Sequence, residues 1–149
     1  MLGIILAAGY LFYPHFKNLT KPAPNAWTKR ESPVSEKDVQ ILKRAASFLE
    51  TEETWDQNYD RYCLIWIKKS LFCAIALAQK EIDGKYIHGS TSIQHVRYII
   101  DDEYKSRWKY HPIMEFNNHP DTTFEEVKKL LSGAIIRIER KLDVQSPLP

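Results

Sequence analysis

Cys73 stands in the first turn of a helix predicted to begin after Ser70, where the helix dipole can draw a thiol toward its nucleophilic thiolate. A histidine base (His88, His95 or His111) and an amide orienter (Asn117 or Asn118) would complete a Cys-His-Asn site for hydrolysis or group transfer. Cys73, His95 and Asn117 are its sequence candidates. The neighbours Phe72, Ala74 and Ile75 are apolar, the setting of a cysteine that behaves as a small buried hydrophobe, and that structural role is favoured.

Two other groups carry chemistry-bearing side chains. Tyr104, Lys105, Arg107, Trp108, Lys109, Tyr110 and His111 mix cations with rings, as in surfaces that grip phosphates and stack bases. Lys105, Arg107, Trp108 and Lys109 are the nucleic-acid candidates. A helix end carrying cations, with Trp108 packed inward, explains the same residues more economically. His111, His119 and Asp121, with Asp101 and Asp102, have the residue types of a metal site, but their spacing matches no zinc arrangement. Turn chemistry at Asn117, Asn118 and Asp121, with Pro120 fixing the chain direction, is the simpler account. No metal and no cofactor is expected.

Several elements must position these residues. Ser35 and Asp38 have capping-box spacing ahead of a stripe at Val39, Leu42, Ala46 and Leu49, which predicts a helix over 36–51. Ser70 caps a nearly all-apolar helix from Leu71 to Ile82, and Asp83-Gly84 stops it. Ser92 caps a third helix through Ile93, Val96 and Ile100, ending near Trp108. Pro112 begins a short turn or helix through Phe116. The last helix has apolar residues at Phe124, Val127, Leu131, Ala134 and Ile138. Both Thr122-Glu125 and Thr123-Glu126 fit its capping box, so its start is set to within one residue. Gly133 inside it costs about 1 kcal/mol relative to alanine, which predicts close approach by another helix.

The domain plan is an apolar segment over 1–19, a proline-containing linker over 20–34, a helical domain over 35–143 and a disordered tail over 144–149. The fold class is mainly α: a compact four-helix domain with a short strand or hairpin near 62–67, preceded by an extended N-terminal arm. The chain of 149 residues has 44% hydrophobic and 27% charged residues, ordinary globular composition, and its formal charge of +2 makes no general case for nucleic acid or membrane. Two cysteines ten residues apart form neither a disulfide framework nor a zinc pattern, which favours a reducing, cytoplasmic setting.

Leu2 to Tyr13 is an uncharged apolar run, shorter than the roughly 20 residues that span a bilayer as a helix. It has neither the basic flank nor the cleavage site of a secretory signal. The run reads as a segment packed on its own domain or on a partner, as a shallow membrane anchor, or as an upstream extension; Leu2, Ile4, Ile5, Leu6, Tyr10, Leu11 and Phe12 are its interaction candidates, with residues 2–16 meeting a protein partner or a membrane surface.

Three blocks then carry a family resemblance. They are Ile41 to Leu49 leading to Trp55, Phe72 to Leu77, and Ile113 to Thr123 followed by Glu125-Glu126-Val127. Over residues 35 to 142 the chain resembles an uncharacterised family of small bacterial and phage proteins, a domain of unknown function. That family has a helix ending in Gly-Trp, a Cys-Ala-Leu-Gly-Ala helix, and a Trp-Asn-Asp turn continuing to Gly-Arg-Thr. Here Thr54 precedes Trp55, Ala76 stands at the glycine, Phe116 replaces tryptophan, Asn118 replaces aspartate, and Asp121-Thr122 replaces Gly-Arg. The resemblance implies a fold and no catalytic residue. The sequence therefore favours a non-enzymatic interaction or accessory protein, with a Cys73 hydrolase or transferase and a weak nucleic-acid binder through 104–111 as its rivals.

Overall fold

A computed structural model describes residues 32–58, 63 and 68–145. The N-terminal run, most of the linker, most of 62–67 and most of the tail lie outside the described residues, and with them the extended arm and the strand or hairpin. The described chain is mainly helical: α1 is Glu36–Phe48, α2 Leu71–Asp83, α3 Thr91–Glu103, α4 Pro112–Asn118 and α5 Phe124–Gln145. Four are long, and α4 is the short helix begun by Pro112. Among the described residues there is no β-strand, only an isolated parallel bridge between Trp55 and Lys69.

The helix ends follow from local chemistry. The Asp38 carboxylate accepts the Ser35 backbone N–H at 3.0 Å and the Ser35 hydroxyl at 2.6 Å. Its other oxygen accepts the backbone N–H of Ser92 at 3.0 Å, so one buried carboxylate holds the starts of both α1 and α3. Ser92 is thus the recipient of a cap rather than the cap itself; Ser90 occupies the N-cap position. Helix α1 stops three residues before the expected end. Leu49 N–H closes a tightened turn onto Ala46 carbonyl, and Thr51 starts a separate 3-10 turn over Glu52–Thr54. Helix α3 likewise ends at Glu103 instead of near Trp108, where Lys105–Arg107 tightens into a 3-10 turn. Ser70 Oγ caps α2 by accepting Cys73 N–H at 3.2 Å, and Gly84 closes it in the left-handed region at φ 74°. At α5 the two capping registers resolve to Thr123, which exchanges bonds with Glu126, while Thr122 turns elsewhere.

Helix α1 packs between α2 and α5, α5 also packs on α3, and α4 bridges α3 back to α2. The ring closes around Leu42, Ala45, Leu71, Ala74, Val96, Ile100, Phe116, Val127 and Ile138, all shielded from solvent. Each fully buried aliphatic or aromatic side chain contributes about 1.5–3 kcal/mol. Gly133 sits where α5 meets α3: a Cβ built there would lie 3.1 Å from Ile99 Cδ1, the close approach that its place in a helix predicted. Exposed pairs Lys43–Glu139, Arg44–Glu81, Lys129–Glu103 and Arg137–Asp102 rim these contacts, where solvent screening leaves them little weight in stability. No described helix is long and apolar enough to cross a membrane.

Candidate functional site

The nucleophile reading fails at its first residue. Cys73 is buried and disulfide-bonded to Cys63, with Cα atoms 5.1 Å apart, so neither sulfur is a thiolate. Their ten-residue spacing brings together a cross-link that the sequence alone did not select, and the cysteine argument for a reducing compartment loses its basis. His95 is also buried, packed edge-on against Tyr98 with ring centroids 5.4 Å apart.

Asn117, offered as the orienter, is a structural clasp. It is 0% exposed, and its Oδ1 accepts both Trp55 Nε1–H at 3.0 Å and Leu71 N–H at 2.9 Å. Its Nδ2 donates to the carbonyls of Asp56 and Gln57 and to Asn118 Oδ1. The Leu71 amide belongs to the first turn of α2 and has no intrahelical acceptor, so Asn117 meets a need built into the helix start. Gln57 reinforces the clasp by donating to the His119 and Thr122 carbonyls at 2.8 and 2.9 Å. The loop after α1 is thereby fastened to the turn before α5.

The basic-aromatic cluster folds against the chain's own carboxylates. Arg107 makes a bidentate pair with Glu126 at 2.7 and 2.9 Å and also donates to Thr122 Oγ1. Glu126 is held below its ordinary value first by that hydrogen bond from Arg107, while the Arg107 guanidinium is raised by the same bond. Lys105 pairs with Asp101 and lies 4.0 Å from the Trp108 ring centre, and Trp108 packs against the core. Lys109 Nζ lies 5.0 Å from the Tyr110 ring centre, and the Glu115 carboxylate accepts the backbone amides of Lys109, Tyr110 and His111. In the turn before α5, Asp121 N–H donates to His119 Nδ1 at 3.3 Å, whereas Asn117, expected to bond local backbone, reaches the distant backbone of Leu71, Asp56 and Gln57. Among the described residues no group of histidine, cysteine, aspartate or glutamate is arranged to hold a metal ion.

A different polar centre lies where the α2–α3 loop crosses α3. Arg97 projects from α3, is 8% exposed, and donates to His88 carbonyl at 3.2 Å and to His88 Nε2 at 3.1 Å. Tyr86 Oη lies 2.9 Å from His88 Nδ1. A guanidinium only donates, so Nε2 must carry the lone pair; His88 is the neutral Nδ1–H tautomer and donates to Tyr86 Oη. Burial, then Arg97, then His111 push the His88 imidazole below its ordinary value. Burial also lowers Arg97, which still stays charged. No carboxylate among the described residues pairs with Arg97, whose acceptors are the carbonyl and imidazole of one exposed residue. From α2, Gln79 Oε1 accepts the N–H of Ile87 on the same loop at 2.9 Å, while its fully buried Nε2 meets no acceptor among the described residues.

Arg97 drew no functional assignment from the sequence, although it stands four residues after Ile93 and three before Ile100, at the spacing of the apolar stripe of α3. The usable signal was His88 nine residues earlier, beyond a glycine-containing turn, but only the folded loop brings the two together. No protein-family model, curated protein or solved structure matches this chain.

Proposed function

We propose that this protein works by association rather than by covalent chemistry: an interaction or accessory domain whose apolar segment, Leu2 to Tyr13, meets a protein partner or a membrane surface. The observation that carries the reading is that run itself, an uncharged stretch with Leu2, Ile4, Ile5, Leu6, Tyr10, Leu11 and Phe12, whose apolar area is favoured under cover. It is supported by the commitment of Cys73 to a disulfide, Asn117 to the clasp and Arg107 to Glu126. Each was a candidate for chemistry, and each has a sufficient structural role.

The test removes residues 1–20 and compares the truncated and full chains by liposome flotation, by sedimentation velocity and by circular dichroism. Loss of flotation or of self-association with helical content retained is the expected result. An unfolded product would make the segment part of the core and overturn the reading, as would unchanged association.

A further inference from the structure

We propose that Arg97 and His88 form a binding site for a phosphate-type oxyanion, independent of the N-terminal segment. The geometry begins with a charge that no carboxylate among the described residues compensates. Arg97 is buried to 8% exposure on α3, and its hydrogen-bond partners are a backbone carbonyl and a neutral imidazole, both from His88. Burying a cation without an anion is expensive. Elsewhere in this molecule partly buried cations meet carboxylates, as Arg107 does with Glu126.

Among the described residues, the groups acting on this corner are Tyr86 and His88 on the α2–α3 loop, Arg97 on α3 and His111 at the start of α4, which disfavours further positive charge on His88. None is acidic in the ordinary range. A permanent cation beside a ring that can take a second proton once released from Arg97 suits a doubly charged phosphate better than a single carboxylate. His88 is exposed while the guanidinium it covers is buried, so an anion would reach Arg97 by displacing the imidazole from it.

That displacement has a defined proton consequence. With Arg97 donating to Nε2, His88 cannot take a second proton without breaking that bond and placing two cations side by side. A phosphate between them would accept from the guanidinium and from both forms of the ring, and would favour the imidazolium. Phosphate binding and His88 protonation are therefore linked, each strengthening the other.

The experiment uses the full chain with ¹⁵N-labelled histidine and follows the His88 ring by NMR from about pH 5 to 8. Inorganic phosphate is compared with chloride at equal ionic strength, and phenyl phosphate serves as a third arm. The His88 titration is expected to move to higher pH in phosphate, and Arg97→Gln is expected to weaken phosphate binding by at least about tenfold. Because Arg97→Gln alters a buried position, His88→Asn, at an exposed one, is measured in parallel by phosphate-dependent shifts of the Arg97 side-chain resonances, and weaker binding is again expected. An effect of inorganic phosphate identifies a free anion as sufficient; an effect of phenyl phosphate alone identifies a phosphorylated ligand. Identical His88 titrations in all three media would overturn the assignment, as would a phosphate effect undiminished in both variants, which would mark an adventitious ion only.

Discussion

Two buried polar centres of this molecule invite comparison: the Asn117 clasp and the Arg97 corner. Asn117 satisfies the amide of Leu71, the indole of Trp55 and the carbonyls of Asp56 and Gln57, all from the chain itself. Arg97 is nearly as enclosed, at 8% exposure against 0%, yet among the described residues its charge is met by a neutral histidine and a carbonyl. A closed network of neutral groups specifies one arrangement of its neighbours and gains from burial. A buried charge without its opposite detracts from stability and is better explained by something it can bind. The lesson is that residue type was a poor guide to role here: the amide suspected of catalysis is scaffold, and the arginine that attracted no suspicion is the chemically open group.

Breaking the clasp carries the largest expected effect. Asn117→Asp keeps shape but turns the Nδ2 donor into an acceptor facing the Asp56 and Gln57 carbonyls, and it should lower unfolding free energy by about 3 kcal/mol or more in urea titration. Arg97→Met sharpens the contrast from the other side. In phosphate-free buffer it should leave unfolding free energy within about 1 kcal/mol of the parent or raise it, since an apolar chain replaces a buried cation that no described carboxylate meets.

The Arg107–Glu126 pair is the intermediate case, a cation with its carboxylate present. Glu126 is held below 4.5 in the folded state, so its stabilisation is fully present above that value and is lost as pH falls through the lower folded value. Glu126→Gln should cost about 1 kcal/mol near neutrality and flatten the loss of stability in acid, read by thermal unfolding across pH. The smallest effect is at Gly133. Gly133→Ala gains helix propensity of about 1 kcal/mol but presses on Ile99 Cδ1, so it should be nearly neutral alone and stabilising in an Ile99→Val background that lacks that methyl.

The helices were legible because their signals are local. Ser70, Gly84 and the Thr123-Glu126 box each act within a few residues, and each operates as its spacing indicates. The end of α3 was misplaced because Trp108 continues an apolar pattern that the 3-10 turn at Lys105–Arg107 interrupts. The polar centres were not legible, since they are built from distant partners. Trp55 and Asn117 are 62 residues apart, and nothing near either announces the other. Gln94, His95, Arg97 and Tyr98 carry polar groups around much of α3, yet all four are buried. The disulfide was undetermined for a related reason: two cysteines at one spacing are compatible with free thiols or a cross-link until the loop between them is folded.

The most direct measurement is the tautomer of His88 in the full chain at neutral pH, read from its ring ¹⁵N shifts in chloride buffer. The account predicts a neutral ring protonated at Nδ1, with Nε2 bare and accepting from Arg97. A ring protonated at Nε2, or an imidazolium at that pH, would mean that His88 does not receive the guanidinium, and the contrast between the two centres would lose its basis.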